Sequence, residues 1–138
     1  MSVAPLLDSS ATLQATAVRE RTVTARALTA AALERIEVRN PTLNAFTAVF
    51  ANRALAEAER LDQRIAAGVD PGPLAGVPIA VKNLFDVAAE VTLAGSRINA
   101  DDPPATVDAT ALARLKAAGA VCLGATNMGE YAYDFVTA

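Results

Sequence analysis

Apolar positions recur at helical spacing through the first part of the chain and predict two helices there. Either serine of Ser9–Ser10 can cap a first helix that runs to about Arg21, and Thr24 can begin a second. We expect Asn40–Pro41 to end the second helix, because the residue before a proline disfavours the helical conformation. The apolar residues expected to face inward are Leu13, Ala17, Val18, Leu28, Ala31, Ala32 and Ile36.

A strand and a third helix are expected next. The stretch Leu43–Phe50 alternates in polarity and carries aromatic and β-branched residues, which is typical of a strand. From about Asn52 the spacing becomes helical again, and Gly68 is expected to end that helix. Its buried face is expected to hold Ala54, Ala58, Leu61 and Ile65, and its solvated face Arg53, Glu57 and Arg60.

A short apolar run, Val77–Val81, lacks polar alternation and predicts a strand that is covered on both faces. Pro78 cannot donate a backbone hydrogen bond, so we expect this strand either to lie at an edge of its sheet or to begin its pairing irregularly there. Lys82 comes directly after this apolar run, and the chain becomes more polar from there. A glycine-containing loop at Thr92–Ser96 and a polar turn at Asn99–Thr106 follow.

A further helix and strand complete this unit. Asp108 can cap a fourth helix, Gly119 would close it, and Ala120–Gly124 has the composition of a buried strand. The order strand, loop, helix, strand predicts a mainly parallel sheet. Asn127 is then expected to cap a short helix over residues 128–135. The fourth helix is expected to turn Ala111, Leu112, Leu115 and Ala118 inward.

Composition narrows the class of protein and its partners. The 138 residues are 53% hydrophobic and 20% charged with a net charge of -3, which fits a globular domain and predicts no nucleic-acid partner. No apolar run approaches the roughly 18 residues of a membrane span, so no membrane partner is predicted. The single cysteine, Cys122, lies in an apolar run. It is expected to be buried, and it fits a cytoplasmic protein without an intrachain disulfide.

Few residues of the chain are candidates for a catalytic or ligand-binding role. The chain has no histidine, metal-ligand cluster, phosphate-binding loop or nucleophile elbow, so neither a metal nor a cofactor is predicted. Lys82 and Lys116 are the only lysines among cations that are otherwise arginine. Lys82 follows a strand, where open α/β sheets place reactive groups. Spacing alone nevertheless favours a solvent-exposed lysine at a strand end over a buried, neutral base.

Several separated blocks together resemble the amidase signature family. They are GVPIAVKNLFDV at residues 76–87, LAGSRIN at 93–99, DATALARLKAAGAV at 108–121 and GATNMGEYAYDF at 124–135. The preceding helices, with the sequence RNPTLNAFTAV, look like the family's usual leader. The blocks look closest to the branch of 1-carboxybiuret hydrolases (AtzE-like amidases), relatives of the aspartyl/glutamyl-tRNA amidotransferase A subunit.

The resemblance implies an α/β fold, with N-terminal helices and the first strands of a mixed β-sheet covered by helices. A helical leader would occupy about residues 9–68, and the start of the α/β core about residues 73–138. The sequence stops directly after an aromatic run that needs a core to pack against. Residues 1–138 are therefore expected to be the N-terminal fragment of a single amidase domain, an incomplete fold.

The family works by a Ser–cis-Ser–Lys arrangement, and the resemblance assigns its lysine to Lys82. That lysine would be buried and neutral, and would activate the nucleophilic serine by drawing its proton through a bridging serine. Neither serine role falls on a serine of this chain, because none lies in a glycine- and serine-rich segment like the family's. The chain alone is therefore expected to be inactive. Its serines are Ser2, Ser9, Ser10 and Ser96.

The resemblance also suggests binding residues and partners. Asn127, Met128 and Tyr133 are candidates for contact with a small amide substrate, against the simpler roles of helix capping and core packing. AtzE-like relatives work with a small helical partner subunit, which is a candidate partner here. Two alternatives stay open. One is an amidotransferase A subunit, and the other is a non-catalytic α/β module or pseudoenzyme subunit in which Lys82 makes only a surface contact.

Overall fold

The structure is a computed structural model and describes residues 3–133. Two short 3-10 helices, Arg97–Asp101 and Glu130–Ala132, lie in the loops after the second and third strands. None of the helices in the described range is long and apolar enough to cross a bilayer. The main elements are α1 (Val3–Leu6), α2 (Ala11–Arg19), α3 (Ala25–Leu43), β1 (Phe46–Val49), α4 (Ala51–Ala66), β2 (Pro78–Lys82), α5 (Thr110–Ala117) and β3 (Val121–Thr126).

Capping hydrogen bonds confirm the first two predicted helix starts. The Ser10 hydroxyl accepts from the backbone N–H of Leu13 at 3.3 Å, and the Thr24 hydroxyl accepts from that of Ala27 at 3.0 Å. Each bond satisfies one of the N–H groups that have no partner within the helix. α2 and α3 therefore begin where a side-chain oxygen is available to the first turn.

The predicted end of α3 at Asn40–Pro41 is wrong, because the helix continues through Pro41 to Leu43. Asn44 ends it instead, in a left-handed conformation with φ of 49° and with its N–H donated to the Asn40 carbonyl at 2.8 Å. The Asn40 carboxamide also bonds both backbone groups of Phe46, at 2.8 Å to the N–H and 3.2 Å to the carbonyl. These bonds stabilise the turn into β1, so the proline is tolerated in the last helical turn.

The three strands form one sheet in the order β1–β3–β2. β1 runs antiparallel to β3, with Phe46 opposite Thr126, and β2 runs parallel to β3, with Lys82 opposite the same Thr126. Because α5 connects β2 to β3, the predicted strand–loop–helix–strand unit is confirmed. β2 lies at an edge of the described sheet, as Pro78 predicted.

β3 is buried along most of its length, but β2 is not covered on both faces as expected. Val81 is buried, whereas Ala80 and Lys82 are exposed. Successive side chains of a strand point to opposite faces, and the described residues leave the face with Ala80 and Lys82 open to solvent. The apolar run therefore predicted the strand correctly and its surroundings incorrectly.

Two clusters of buried apolar side chains hold these elements together. Cys122 alternates with Val121 and Leu123 along β3, so the two clusters lie on opposite faces of the sheet. The larger cluster, between the helices α1–α4 and the sheet, includes Val18, Leu28, Ala58, Leu61, Ile65, Val77, Val121 and Leu123. The smaller cluster contains Phe50, Val81, Val87, Leu112, Cys122 and Ala125.

Most apolar positions that were predicted to face inward are at least partly buried, but three are not. Leu13 is 58% exposed, because the neighbouring Gln14 takes the buried position and donates from Nε2 to a backbone carbonyl at 3.2 Å. On α5, Ala111 and Leu115 are exposed and Leu112 alone of the helix's residues is buried. An eight-residue helix presents only a narrow face to the core.

Cys122 is buried in the central strand, as predicted. Burial raises the pKa of its thiol, because the charged thiolate is disfavoured away from water. The thiolate is the reactive form of cysteine, so this thiol is poorly reactive at neutral pH. Cys122 therefore contributes packing to the smaller cluster.

Asp108 does not cap α5 as predicted. Ala109 occupies the N-cap position, and Asp108 instead accepts from the Ala88 N–H at 2.8 Å and from Lys116 Nζ at 3.1 Å. Lys116 also pairs with Glu57 of α4 at 3.0 Å, so Glu57 is not on a solvated face as expected. These charges connect α4 and α5 to the loop after β2.

Arg53, also expected on the solvated face of α4, contacts the same loop. Its guanidinium donates to the Ala88 carbonyl at 2.8 Å, pairs with Glu90 at 3.4 Å and lies 4.3 Å from the centroid of the Phe50 ring. The prediction is wrong here because the loop after β2 folds back over α4, which helical spacing cannot indicate. Arg60 is exposed as expected.

Asp108→Asn is expected to lower the free energy of unfolding near neutral pH by about 1–2 kcal/mol. Desolvation works against the Asp108 carboxylate, but the Ala88 N–H and the Lys116 ammonium outweigh it and hold the pKa below its ordinary value of 3.8. A carboxyl whose pKa is lowered by folding stabilises the fold above its unfolded pKa. That stabilisation is lost as the pH falls through the folded value. The difference between the two proteins should therefore shrink below pH 3.8.

Urea unfolding followed by circular dichroism, from roughly pH 7 down to pH 3, measures this difference. Asp101→Asn is the matched control, because Asp101 is an exposed loop carboxylate. It should change the free energy of unfolding by less than about 0.5 kcal/mol. A loss in Asp108→Asn that does not vary with pH would contradict an ionic role for this carboxylate.

Candidate functional site

The carboxyl ends of β2 and β3 meet at one edge of the sheet, because the two strands are parallel. Lys82 ends β2 and Thr126 ends β3, and the two residues are directly opposite each other. Asn83 and Asn127 are the next residues of the two segments. Open α/β sheets bind ligands outside the carboxyl ends of their strands. We therefore place the candidate site at this edge.

Lys82 is exposed at this edge, whereas the family resemblance implies a buried lysine. No carboxylate among residues 3–133 lies within 4.0 Å of its ammonium. The backbone around it is well held, since the Lys82 carbonyl accepts from the Phe85 N–H at 3.0 Å and the Asn83 N–H donates to the Thr126 carbonyl at 3.1 Å. The expected burial is absent because β2 is an edge strand whose Lys82 face is open in the described chain.

Asn83, the residue after Lys82, is buried and uses both ends of its carboxamide. Its Nδ2 donates to Thr47 Oγ1 of β1 at 2.9 Å, and its Oδ1 accepts from the Leu93 N–H at 3.2 Å. Its backbone carbonyl accepts from the Ala94 N–H at 2.8 Å. This residue therefore connects the end of β2 to β1 and to the loop at residues 92–96.

The loop after β2 and the segment after β3 are fastened to each other. Gly95 has a φ of 72°, and a Cβ there would lie 2.7 Å from the Met128 carbonyl oxygen, so the close approach requires glycine. The Ser96 hydroxyl donates to Glu130 Oε1 at 2.6 Å. These contacts build one side of a cleft at the edge of the sheet.

The cleft has a volume of about 320 Å³. Its lining residues are Thr47, Asn83, Leu93, Gly95, Ser96, Arg97, Ala100, Asn127 and Met128. Hydroxyl, carboxamide and guanidinium groups stand among apolar side chains in this lining, a mixture that is typical of sites for small molecules. Lys82 is not among the lining residues. It lies beside the cleft because the next residue in the chain, Asn83, lines it.

Two of the three candidate substrate contacts, Asn127 and Met128, line the cleft, and Tyr133 does not. Asn127 does not cap a helix as predicted. Its Oδ1 accepts from the Met128 N–H at 2.8 Å, and its Nδ2 donates to the Asn44 carbonyl at the end of α3 at 3.1 Å, so the carboxamide holds this segment against α3 instead. Tyr133 is 96% exposed, and residues 134–135 of the predicted helix lie outside the described residues.

Asn83 and Ser96 lie within the blocks that carry the family resemblance, but the sequence predicted no site role for either. Their side-chain partners, Thr47 and Glu130, lie 36 and 34 positions away, so local spacing carries no sign of these contacts. The one local indication for Asn83 is that it is a polar residue close behind the apolar run that predicts a strand. Within residues 3–133 no group of three or more acidic, cysteine or histidine side chains is arranged to hold a metal ion.

Comparison with known proteins places the chain in a family. The family model described as Amidase matches residues 27–138. The AtzE subunit of 1-carboxybiuret hydrolase from Pseudomonas sp. (strain ADP) is 54% identical over 106 residues, which are 77% of this chain and 23% of that protein. The glutamyl-tRNA(Gln) amidotransferase A subunit of Bdellovibrio bacteriovorus is 47% identical over 116 residues, which are 84% of this chain and 23% of that protein.

A solved structure shares the fold. It is a vestigial protein complex that reveals the evolutionary origins of an s-triazine catabolic enzyme, and it matches with a TM-score of 0.86 and 47% identity. The match covers 88% of this chain and 27% of that one, and the chain spans about a quarter of the length of the curated relatives. The predicted α/β fold and the family resemblance are both confirmed. This chain belongs to the amidase signature family.

Proposed function

We propose that this chain supplies the lysine of an amidase that hydrolyses a C–N amide bond of a small substrate. One observation carries the proposal. Lys82 ends β2 beside the cleft, at the carboxyl edge of a sheet that belongs to an amidase-family fold. That edge is where α/β sheets hold reactive groups. The mechanism that the resemblance implies uses no metal and no cofactor.

The reaction would follow the Ser–cis-Ser–Lys arrangement of the family. The unprotonated amine of Lys82 takes a proton through a bridging serine, and the nucleophilic serine attacks the amide carbonyl. Lys82 returns this proton through the bridging serine to the leaving amine as the acyl-enzyme forms. Water then attacks the acyl-enzyme, gives up a proton by the same path to restore the serine, and releases the acid. Ser96 already donates its hydroxyl hydrogen to Glu130. Both catalytic serines would come from outside residues 1–138, so the chain alone is expected to be inactive.

A lysine that accepts protons has to be shielded from water, because burial disfavours its charged form. Lys82 and Ala80 form an open face on β2 in the described residues. We infer that the part of the enzyme with the two serines also covers this face. The same part of the enzyme would then both cover Lys82 and bring the two serines to it. This agrees with an exposed Lys82 in the present chain.

Asn127 and Met128 are the proposed substrate contacts, with Tyr133 as a third candidate. Among residues 3–133, Asn127 Nδ2 donates one hydrogen to Asn44 and the other to no protein atom, so it can bind an acceptor atom in the cleft. Met128 is buried, and its flexible side chain provides an apolar surface there. The exposed ring of Tyr133 would contact a substrate only after another part of the protein folds over it.

We further propose that residues 9–68 are the helical leader and residues 73–138 the start of the α/β core of a single amidase domain. The larger apolar cluster supports a single domain, since it contains residues from both segments. A small helical partner subunit, as in AtzE-like relatives, is a candidate partner of the assembled enzyme. The cytoplasmic location stays a prediction.

A second candidate function is that of an amidotransferase A subunit. The Bdellovibrio relative of that name is 47% identical over 84% of this chain. Such a protein would use the same lysine and deliver ammonia to a charged tRNA. The exposure of Lys82 also keeps the non-catalytic module as an alternative.

The longest protein that this gene encodes provides the test. It is incubated with small linear amides, including 1-carboxybiuret, and released ammonia is measured. A parallel reaction contains glutamine and glutamyl-tRNA(Gln), and formation of glutaminyl-tRNA is measured. Ammonia release without tRNA supports the hydrolase, and product on tRNA supports the amidotransferase. A folded protein that does neither would contradict both enzymatic functions and leave the non-catalytic module.

A further inference from the structure

We propose that Asn83 is a positioning residue that sets the direction of the Lys82 side chain, an inference that rests on the proposed amidase function. Asn83 is 5% exposed, and it makes four hydrogen bonds to three different parts of the structure. Two come from its carboxamide and two from its backbone. A buried carboxamide that is bonded at both its nitrogen and its oxygen has one orientation that satisfies these partners.

The hydrogen bonds from Asn83 run in one direction across the sheet. Thr47 Oγ1 donates its single hydrogen to the Ala125 carbonyl of β3 at 3.3 Å, so it can only accept from Asn83 Nδ2. The chain of bonds therefore passes from the end of β2 through β1 to β3. At its other end, Asn83 Oδ1 accepts from the Leu93 N–H of the loop beside the cleft. One carboxamide connects all three strands and the loop.

This arrangement determines where Lys82 points. Val81 and Asn83 on either side of Lys82 are buried, whereas Lys82 itself is exposed. Val81 is held in the smaller apolar cluster and Asn83 in its hydrogen bonds. Because both neighbours are anchored, the backbone of Lys82 cannot rotate about the strand axis. The Cα–Cβ bond of the lysine is thereby fixed relative to the cleft.

Asn83 lines the cleft, but both polar ends of its side chain are bonded to the protein and almost all of its surface is covered. Its removal should therefore affect the chemical step more than substrate binding. A displacement of about 1 Å in a reacting group can cost about a hundredfold in rate.

The experiment compares variants of the longest protein that this gene encodes, using the amide that the wild type turns over. Asn83→Ala is expected to lower kcat by about tenfold to a hundredfold and to change KM by less than about threefold. Asn83→Asp should recover kcat to within about fivefold of wild type, because a carboxylate can accept from both Leu93 N–H and a reoriented Thr47 hydroxyl.

A second variant tests the bond that links β2 to β1. Thr47→Val removes the acceptor of Asn83 Nδ2 and should lower kcat in the same direction. The double variant Asn83→Ala/Thr47→Val should lose little more than Asn83→Ala alone, because residues in one network are not additive. Asn52→Ala is the matched control, since Asn52 is an exposed asparagine on α4, and its kcat and KM should equal those of the wild type.

Hydrogen exchange gives a readout that does not need activity. The Leu93 amide donates to Asn83 Oδ1, so its exchange should accelerate in Asn83→Ala and remain slow in the Asn52→Ala control. Unchanged exchange of Leu93 would overturn the structural link.

The kinetic outcomes separate the two proposals. An unchanged kcat in Asn83→Ala, or a rise in KM alone, would overturn the positioning role while the amidase function stands. Failure of Asn83→Asp to recover kcat would overturn the role of the carboxamide's acceptor bonds. A wild type without turnover would overturn the proposed amidase function, and with it any role for Asn83 in that reaction.

Discussion

Lys82→Ala should lower kcat/KM for amide hydrolysis by at least about 10³-fold in the longest protein that this gene encodes. The substitution removes the amine that takes the proton from the serine pair, and a serine hydroxyl alone is too weak a nucleophile. The fold should be unaffected, because Lys82 is an exposed side chain at the end of an edge strand. The rate of ammonia release at substrate concentrations well below KM measures the loss. The circular dichroism spectrum should stay near that of the wild type.

Two matched variants show whether the loss belongs to this amine. Lys82→Arg keeps a positive charge that cannot give up its proton, so it should be as inactive as the alanine variant. Lys116→Met changes the chain's other lysine, which pairs with Glu57 and Asp108, and it should lower stability but not kcat. Activity retained in either Lys82 variant would contradict the proposed proton transfer.

Leu28→Ala should lower the free energy of unfolding by about 3 kcal/mol, the largest loss that we expect from a single apolar truncation in this chain. Leu28 is fully buried in the larger apolar cluster, where α3 packs against the other helices. Truncation removes buried apolar surface and leaves a cavity that the surrounding helices can only partly fill. Urea unfolding followed by circular dichroism measures the change at constant pH.

Leu13→Ala is the matched control for this loss. Leu13 is also a leucine in a helix of the N-terminal region, but it is 58% exposed. Its truncation should change the free energy of unfolding by less than about 0.5 kcal/mol. Equal losses in the two variants would contradict the position of the apolar cluster on α3.

The helices follow closely from the sequence, because their determinants are local. Ser10 and Thr24 cap them, and the apolar spacing on α4 places its buried side chains correctly. Local patterns fail where a distant partner competes for a residue. Asp108 could satisfy the start of α5, but the Ala88 N–H and Lys116 use its carboxylate instead.

The positions of the strands can be predicted from their composition, but the residues that cover each strand cannot. The apolar run before Lys82 indicates a strand but not how many neighbours it has. The cleft is less predictable still, since it depends on contacts between positions far apart, such as Asn83 with Thr47. The family resemblance named Lys82 and Asn127 as site residues, and physical pattern alone left Lys82 an exposed strand end. In the structure Lys82 lies at the expected edge of the sheet, but the described residues do not bury its side chain.

The open edge of β2 has a consequence for handling this protein. An unpaired strand edge can recruit a strand from another molecule, and natural sheets oppose such aggregation with prolines and lysines on the edge. Pro78 and Lys82 stand at the two ends of β2 and provide both devices. In the 138-residue chain, where Lys82 is exposed, Lys82→Ala would therefore remove a charge that opposes edge-to-edge association, whereas Lys82→Arg would retain that charge.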